Sequence, residues 1–155
     1  MHAVRVADAI RDAEDRVGHE NSLIMGDLNM DPYEDGVTAA DCLHGVMDKN
    51  IALQFARTVD GKSRTFFYNP MWDRLGDETN GPPGTYFRRG GQISAFWHTF
   101  DQVLLRPSLL AYYSPSALRV ITNIGSRDLL QGGRIDRALS DHLPVLLSLN
   151  LERGA

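Results

Sequence analysis

The chain has 155 residues, 43% apolar and 23% charged, with a formal net charge of −4 at pH 7, which fits one ordinary globular domain. Acidity this mild argues against a broad, non-specific grip on nucleic acid, although a local basic patch can still touch phosphate. The single cysteine, Cys42, excludes an intrachain disulfide and suits a reducing compartment.

Residues 2–17 read as an amphipathic helix, with Val6, Ile10, Ala13 and Val17 on one stripe and Gly18 as its stop. Asp8 with Arg11 and Asp12 with Arg16 are spaced for exposed helical pairs. The same charges break any signal-peptide core, and no apolar run approaches the ~18 residues that span a bilayer. A cytoplasmic location is therefore expected. A strand is predicted over 22–26, then a polar loop from Asp27 to Asp35 with a turn at Pro32, then a helix over 37–47. Leu53–Thr58 and Arg64–Tyr68 are candidate strands. Residues 69–92, with three prolines and five glycines around Trp72 and Tyr86, read as a long surface excursion of functional character. The clearest strand is Ala95–Arg106, ended by Pro107. Leu118–Ile124 and Leu143–Leu151 follow. The pattern is α/β or α+β, a sheet with few helices that needs a second layer to cover its face.

Three polar clusters flank these strands. Gly26-Asp27-Leu28-Asn29 ends the first, and alternate positions of an extended segment project to one side, so Asp27 and Asn29 can converge on one ligand. Asp101 lies on a mostly apolar face with Trp97, Thr99, Val103 and Leu105, where a carboxylate is costly without a partner. It is either a structural acid bonded to backbone amides or the acid that holds a histidine in one tautomer, with His142 the natural candidate. Ser140-Asp141-His142 precedes the last strand. Asp141 and His142 are neighbours in sequence and point to opposite sides, so each needs its own partner, and Ser140 is assigned no chemistry. In the Asp27–Asp35 loop, Glu34 and Asp35 are explained by the following helix N-terminus. Neither a calcium-loop spacing nor a zinc-type Cys/His set is present. Arg88-Arg89 are candidates for phosphate contact or are simply exposed. Trp72, Tyr86, Phe87 and Trp97 are candidates for a base-stacking surface or for core packing.

Together, Gly-Asp-Leu-Asn at 26–29, Phe-Asp-Gln-Val-Leu-Leu at 100–105 and Ser-Asp-His at 140–142, in this order and each beside a strand, resemble the endonuclease/exonuclease/phosphatase superfamily of DNase I-like Mg²⁺-dependent phosphoesterases. The resemblance implies a water-mediated hydrolase of a phosphodiester or phosphomonoester, a nuclease or a phosphatase. Asp27 would orient or deprotonate the attacking water and help hold the metal. Asn29 would hold the phosphate and the transition state. Asp101 would bond and orient His142, and His142 would contact the scissile phosphate. Asp141 would bind the metal, Mg²⁺ with Mn²⁺ as an alternative, through hard oxygen ligands. Arg88 and Arg89 would add substrate contacts.

The resemblance also implies that residues 1–155 form a single domain equal to the C-terminal half of the family fold. That fold is a four-layer α-β-β-α sandwich, of which this half carries one mostly antiparallel sheet with flanking helices. The family's N-terminal half supplies an Asn, a metal-binding Glu and usually a further His or Tyr, and nothing before Leu23 here is expected to be those residues, because the sequence opens with the helix that belongs in the middle of the domain. The expected behaviour is weak or absent catalysis by these residues alone, with a phosphate ester, including nucleic acid, as partner. The competing expectation is a non-catalytic half-domain that forms a homodimer through a bare sheet face.

Overall fold

The computed structural model describes residues 2–78, 81–90, 92 and 94–154. Residues 79, 80 and 91 of the expected surface excursion lie outside the described set.

Helix α1 spans His2–Val17 and stops at Gly18, whose N–H returns to Glu14 O at 2.9 Å with φ +76. Its packed stripe is the expected one only in part, at Ile10 and half-buried Ala13. Val6 and Val17 are exposed, while Ala7 and Glu14 are buried with Ile10 packed beside them. The stripe is displaced because Glu14 faces inward to a partner. Arg106 donates to both of its carboxylate oxygens, at 2.8 and 2.7 Å, donates again to Thr65 O and Phe66 O, and lies over the Phe67 ring. Burial pushes the Glu14 carboxyl up, but hydrogen bonds from Arg106 and Ser22 more than offset this, so it lies below its ordinary value.

Strand β1 (Leu23–Asp27) matches the expected strand to within one residue. The expected helix over 37–47 is cut to α2, Asp35–Thr38, after which the chain turns extended at Ala39. His44 at φ +53 denies a longer helix, and buried Cys42, Leu43 and His44 run consecutively rather than at helical spacing. Strand β2 is Gly45–Val46, and α3 (Lys49–Ala52) is capped by Asp48, which accepts from Asn50 N and Ile51 N. Leu53 therefore closes a helix instead of opening a strand. Strands β3 (Ala56–Val59) and β4 (Lys62–Thr65) form a hairpin turned by Asp60 at φ +50 and Gly61 at φ +73, the pair of positive φ values that a tight hairpin needs. Strand β5 is Phe67–Tyr68 and β6 is Tyr86–Phe87.

The expected continuous strand 95–106 is broken into β7 (Trp97–His98) and β8 (Asp101–Leu105). The interruption has a cause: Thr99 N leaves the ladders to donate to Asp31 Oδ1 at 2.7 Å. Strand β9 (Leu118–Val120) precedes two short hairpins, β10 (Asn123–Ile124) with β11 (Arg127–Asp128) and β12 (Leu130–Gln131) with β13 (Arg134–Ile135). Strand β14 (Val145–Leu147) then pairs antiparallel with β9.

The class is α+β. The main sheet has strand order β1-β8-β5-β2, with antiparallel pairs except β2 with β5. On one face Phe67 and Leu104 pack with Ala7, Val37 and Leu43, under α1. On the other, Tyr68, Val103 and Leu105 are covered by Leu109, Leu110, Tyr113 and Leu118, with Val145 and Leu147 of the β9–β14 ribbon against them. A bare sheet face was expected. The chain instead covers that face itself, leaving Leu23 (42%) and Met25 (45%) exposed on edge strand β1. Among the described residues no helix is long and apolar enough to cross a membrane.

Candidate functional site

The β1–β8 register sets Asp27 directly opposite Asp101, at one end of the sheet. Directly opposed residues of an antiparallel pair project to the same face, and two like charges so placed repel unless something lies between them. His142 does. Its Nδ1 is 2.7 Å from Asp101 Oδ2, and its Nε2 is 4.0 Å from Asp27 Oδ2. An Nδ1–H donated to Asp101 fixes the tautomer and leaves Nε2 as the reactive nitrogen. The side chain remains 24% exposed, so the ring is in reach of solvent.

Local backbone explains the first motif. Gly26 sits at φ +147, a conformation L side chains rarely adopt, as the chain leaves the strand. Asn29 sits at φ +51, which asparagine tolerates better than most residues. Asp27 Oδ1 accepts from Asn29 N at 2.8 Å and Oδ2 from Asn29 Nδ2 at 3.2 Å. The two side chains thus converge as expected, through a turn closed by the Asp27 carboxylate rather than by strand alternation.

His142 is held by backbone. It forms a bridge to Tyr86, Leu143 N donates to Thr85 O at 2.7 Å, and His142 N donates to Ser140 Oγ at 3.1 Å. Thr85 is fully buried, and its Oγ1 accepts from Asp101 N at 3.1 Å. Its own N–H goes to His98 O at 2.8 Å. Gly84 is required beside it, because a Cβ there would meet His98 O at 2.5 Å. The Tyr86 ring packs on His142 with centroids 4.7 Å apart. An apolar wall of Ile124, Leu129, Ile135, Leu139 and Pro144 stands beside the imidazole.

The other expected residues are placed less centrally. Asp141 is exposed and next to His142 in sequence, with no bond to the Asp27–Asp101–His142 group among the described residues. Arg88 and Arg89 are exposed just beyond β6, and neither is drawn to His142 by a side-chain bond among the described residues. The four candidate stacking aromatics separate: Tyr86 joins the site, Phe87 and Trp97 pack together at 5.2 Å, and Trp72 meets Tyr33 at 6.4 Å.

Sequence reasoning missed a second carboxylate–imidazole pair. Asp31, read as part of a solvated acidic loop, is buried and accepts from Thr99 N at 2.7 Å and Tyr33 Oη at 3.1 Å, with His98 Nδ1 at 2.7 Å. Glu34 does not cap α2 with its side chain; it accepts from Asp31 N at 2.8 Å and locks the loop. No local pattern signals the pair, since Asp31 and His98 are 67 residues apart.

Carboxylate and amide oxygens such as those of Asp27 and Asn29 are of the hard type that suits Mg²⁺ or Mn²⁺. Among the described residues, however, no group of three His, Cys, Asp or Glu side chains converges to hold an ion. Asp27 and Asp141 do not form a metal site by themselves. What the group can do chemically is bind an anion through an oriented imidazole, and pass a proton between that imidazole and a water held near Asp27. Comparison with family models, curated proteins and solved structures finds no match.

Proposed function

We propose that this chain is part of a phosphoesterase, a hydrolase of a phosphodiester or phosphomonoester of the endonuclease/exonuclease/phosphatase kind, with its chemistry centred on His142. The single observation that carries the reading is the placement of His142 between two opposed carboxylates, Nδ1 on Asp101 and Nε2 toward Asp27. In this reading Asp27 orients the attacking water and accepts its proton. Asn29, closed against Asp27, presents polar atoms to the phosphoryl oxygens. As the water oxygen bonds phosphorus, Asp27 passes that proton to His142 Nε2, and the imidazolium so formed meets the charge developing on the phosphoryl group and gives the proton to the leaving oxygen as the second P–O bond breaks. Asp101 is the positioning residue that holds the imidazole. The four-layer sandwich belongs to the same proposal, supported by a sheet that carries α1 on one face and the β9–β14 ribbon on the other. Mg²⁺ or Mn²⁺ enters the proposal as an added ion, with no step assigned to it here.

The test is phosphate-ester turnover by the chain with Mg²⁺ supplied, beside Asp27→Ala. Loss of turnover in the variant supports the reading, and equal turnover removes Asp27 from the chemistry.

A second reading is favoured by the edge of β1, where Leu23 and Met25 are exposed beside a strand with one neighbour. There the chain pairs with a second copy and catalyses nothing. Sedimentation separates the two: a concentration-independent monomer rejects this second reading.

A further inference from the structure

His98 occupies a place parallel to that of His142. Tyr86 is paired with His98 in the β6–β7 ladder and with His142 in the bridge on its other side. Directly paired residues project to one face, so His98, Tyr86 and His142 form a row across three strand segments. Each imidazole has Nδ1 on a carboxylate at 2.7 Å, His98 on Asp31 and His142 on Asp101. The second carboxylate is almost fully buried, yet its His98 partner keeps 18% of its side chain in solvent. A carboxylate on Nδ1 leaves Nε2 as the uncommitted nitrogen of both rings. Tyr86 separates them, its centroid 4.7 Å from His142 and 6.3 Å from His98, with Phe100 stacked on Tyr86 at 5.3 Å and on His98 at 4.7 Å.

We infer that His98 is a substrate-binding residue of the same site, and that it takes a second phosphoryl group adjacent to the one His142 engages. The inference rests on the phosphoesterase reading and narrows it to substrates with two phosphoryl groups in succession. The reasons are geometric and chemical. A merely structural histidine that completes the hydrogen bonds of Asp31 has no need to lie in register with Tyr86 and His142, nor to keep part of its side chain in solvent. Tyr86 is paired with both histidines, one on each side, and an imidazole on either side of one ring matches two linked anionic groups better than one. An aromatic floor between two imidazole contacts also accommodates a flat or sugar-bearing link.

The experiment is a titration of the full chain, with the imidazole resonances of His98 and His142 followed by NMR. The probes are inorganic phosphate, pyrophosphate and the dinucleotide pTpT. The expected result is that at least one doubly phosphorylated probe shifts both histidines along one saturable curve. Pyrophosphate doing so identifies adjoining phosphoryl groups, and pTpT alone doing so identifies a nucleic-acid backbone. His98→Gln, which retains a donor for Asp31, weakens that probe at least about tenfold, the scale of one charge-assisted hydrogen bond. The same variant changes phosphate binding less than about twofold. If His142 responds and His98 stays silent, the inference is overturned while the phosphoesterase reading stands. If neither responds to any probe, both fall. The wild-type titration decides this even where the variant does not fold.

Discussion

Asp27 and Asp101 face each other across the β1–β8 ladder, and the imidazole of His142 lies between their carboxylates. Two acids opposed in a sheet are unfavourable without a counter-group. The arrangement therefore ties three residues distant in sequence into one unit, in which changing any member alters the surroundings of the other two.

Asp101→Asn should keep the fold and lose the orientation of His142. An asparagine amide can donate to Nδ1 and so favour the wrong tautomer. Turnover of a chromogenic phosphodiester should fall by about 10²-fold or more, within the range that a positioned acid–base group supplies. KM should change little. An unchanged kcat with intact circular dichroism would remove Asp101 from its positioning role.

Glu14 and Arg106 join α1 to the end of β8 by a buried bidentate pair, their side chains 5% and 4% exposed. Removing one partner strands the other charge. Glu14→Ala should therefore destabilise the chain by about 3–5 kcal/mol. Urea unfolding measures this, and a loss under about 1 kcal/mol would show that water reaches Arg106.

Acidification acts through the same pair. The Glu14 carboxyl is held below its ordinary 4.5 in the folded chain, so the unfolded chain binds the extra proton first as pH falls. Its contribution is fully present above 4.5 and is lost as pH drops through the folded value. His44 acts in the same direction at higher pH. Burial lowers its basicity, and Arg57, which donates to Nε2 at 3.1 Å, lowers it further. The neutral ring is favoured on folding, and stability declines as pH falls below 6.5. Thermal melts between pH 7 and 3.5 should show both declines, and His44→Gln should remove the upper one.

Gly84→Ala should disturb the site without touching its chemistry. The new Cβ would fall on the carbonyl of His98, and that strand cannot yield without breaking the Thr85 N to His98 O bond. The expected outcome is a loss of stability by about 1–3 kcal/mol together with a changed near-ultraviolet spectrum from Tyr86. Wild-type stability in this variant would show that the hairpin shifts freely.

The parts of the fold legible in sequence were those decided locally. Helix α1 announced itself through 3.6-residue periodicity and a glycine stop, and β1 through a short apolar run closed by Gly26. Its buried stripe was misread because a buried Glu14 looks polar until Arg106 is seen beside it, 92 residues away. The 95–106 strand was read as continuous because nothing local reveals that Thr99 N bonds Asp31. The expected helix over 37–47 failed because burial of Cys42, Leu43 and His44 comes from their neighbours in space. In the site, Asp27, Asn29, Asp101 and His142 were legible from residue type beside strand ends. Asp31 and His98 were not, since their pairing depends on the loop from 27 to 35 folding back over β7.

The most direct measurement of the central claim is hydrolysis of bis(p-nitrophenyl) phosphate, with Mg²⁺ supplied, by wild-type chain and by His142→Ala at matched folded concentration. Slow turnover by the wild type that drops at least about 100-fold in the variant is the predicted result. Equal, measurable turnover by the two would contradict a phosphoesterase site built on His142.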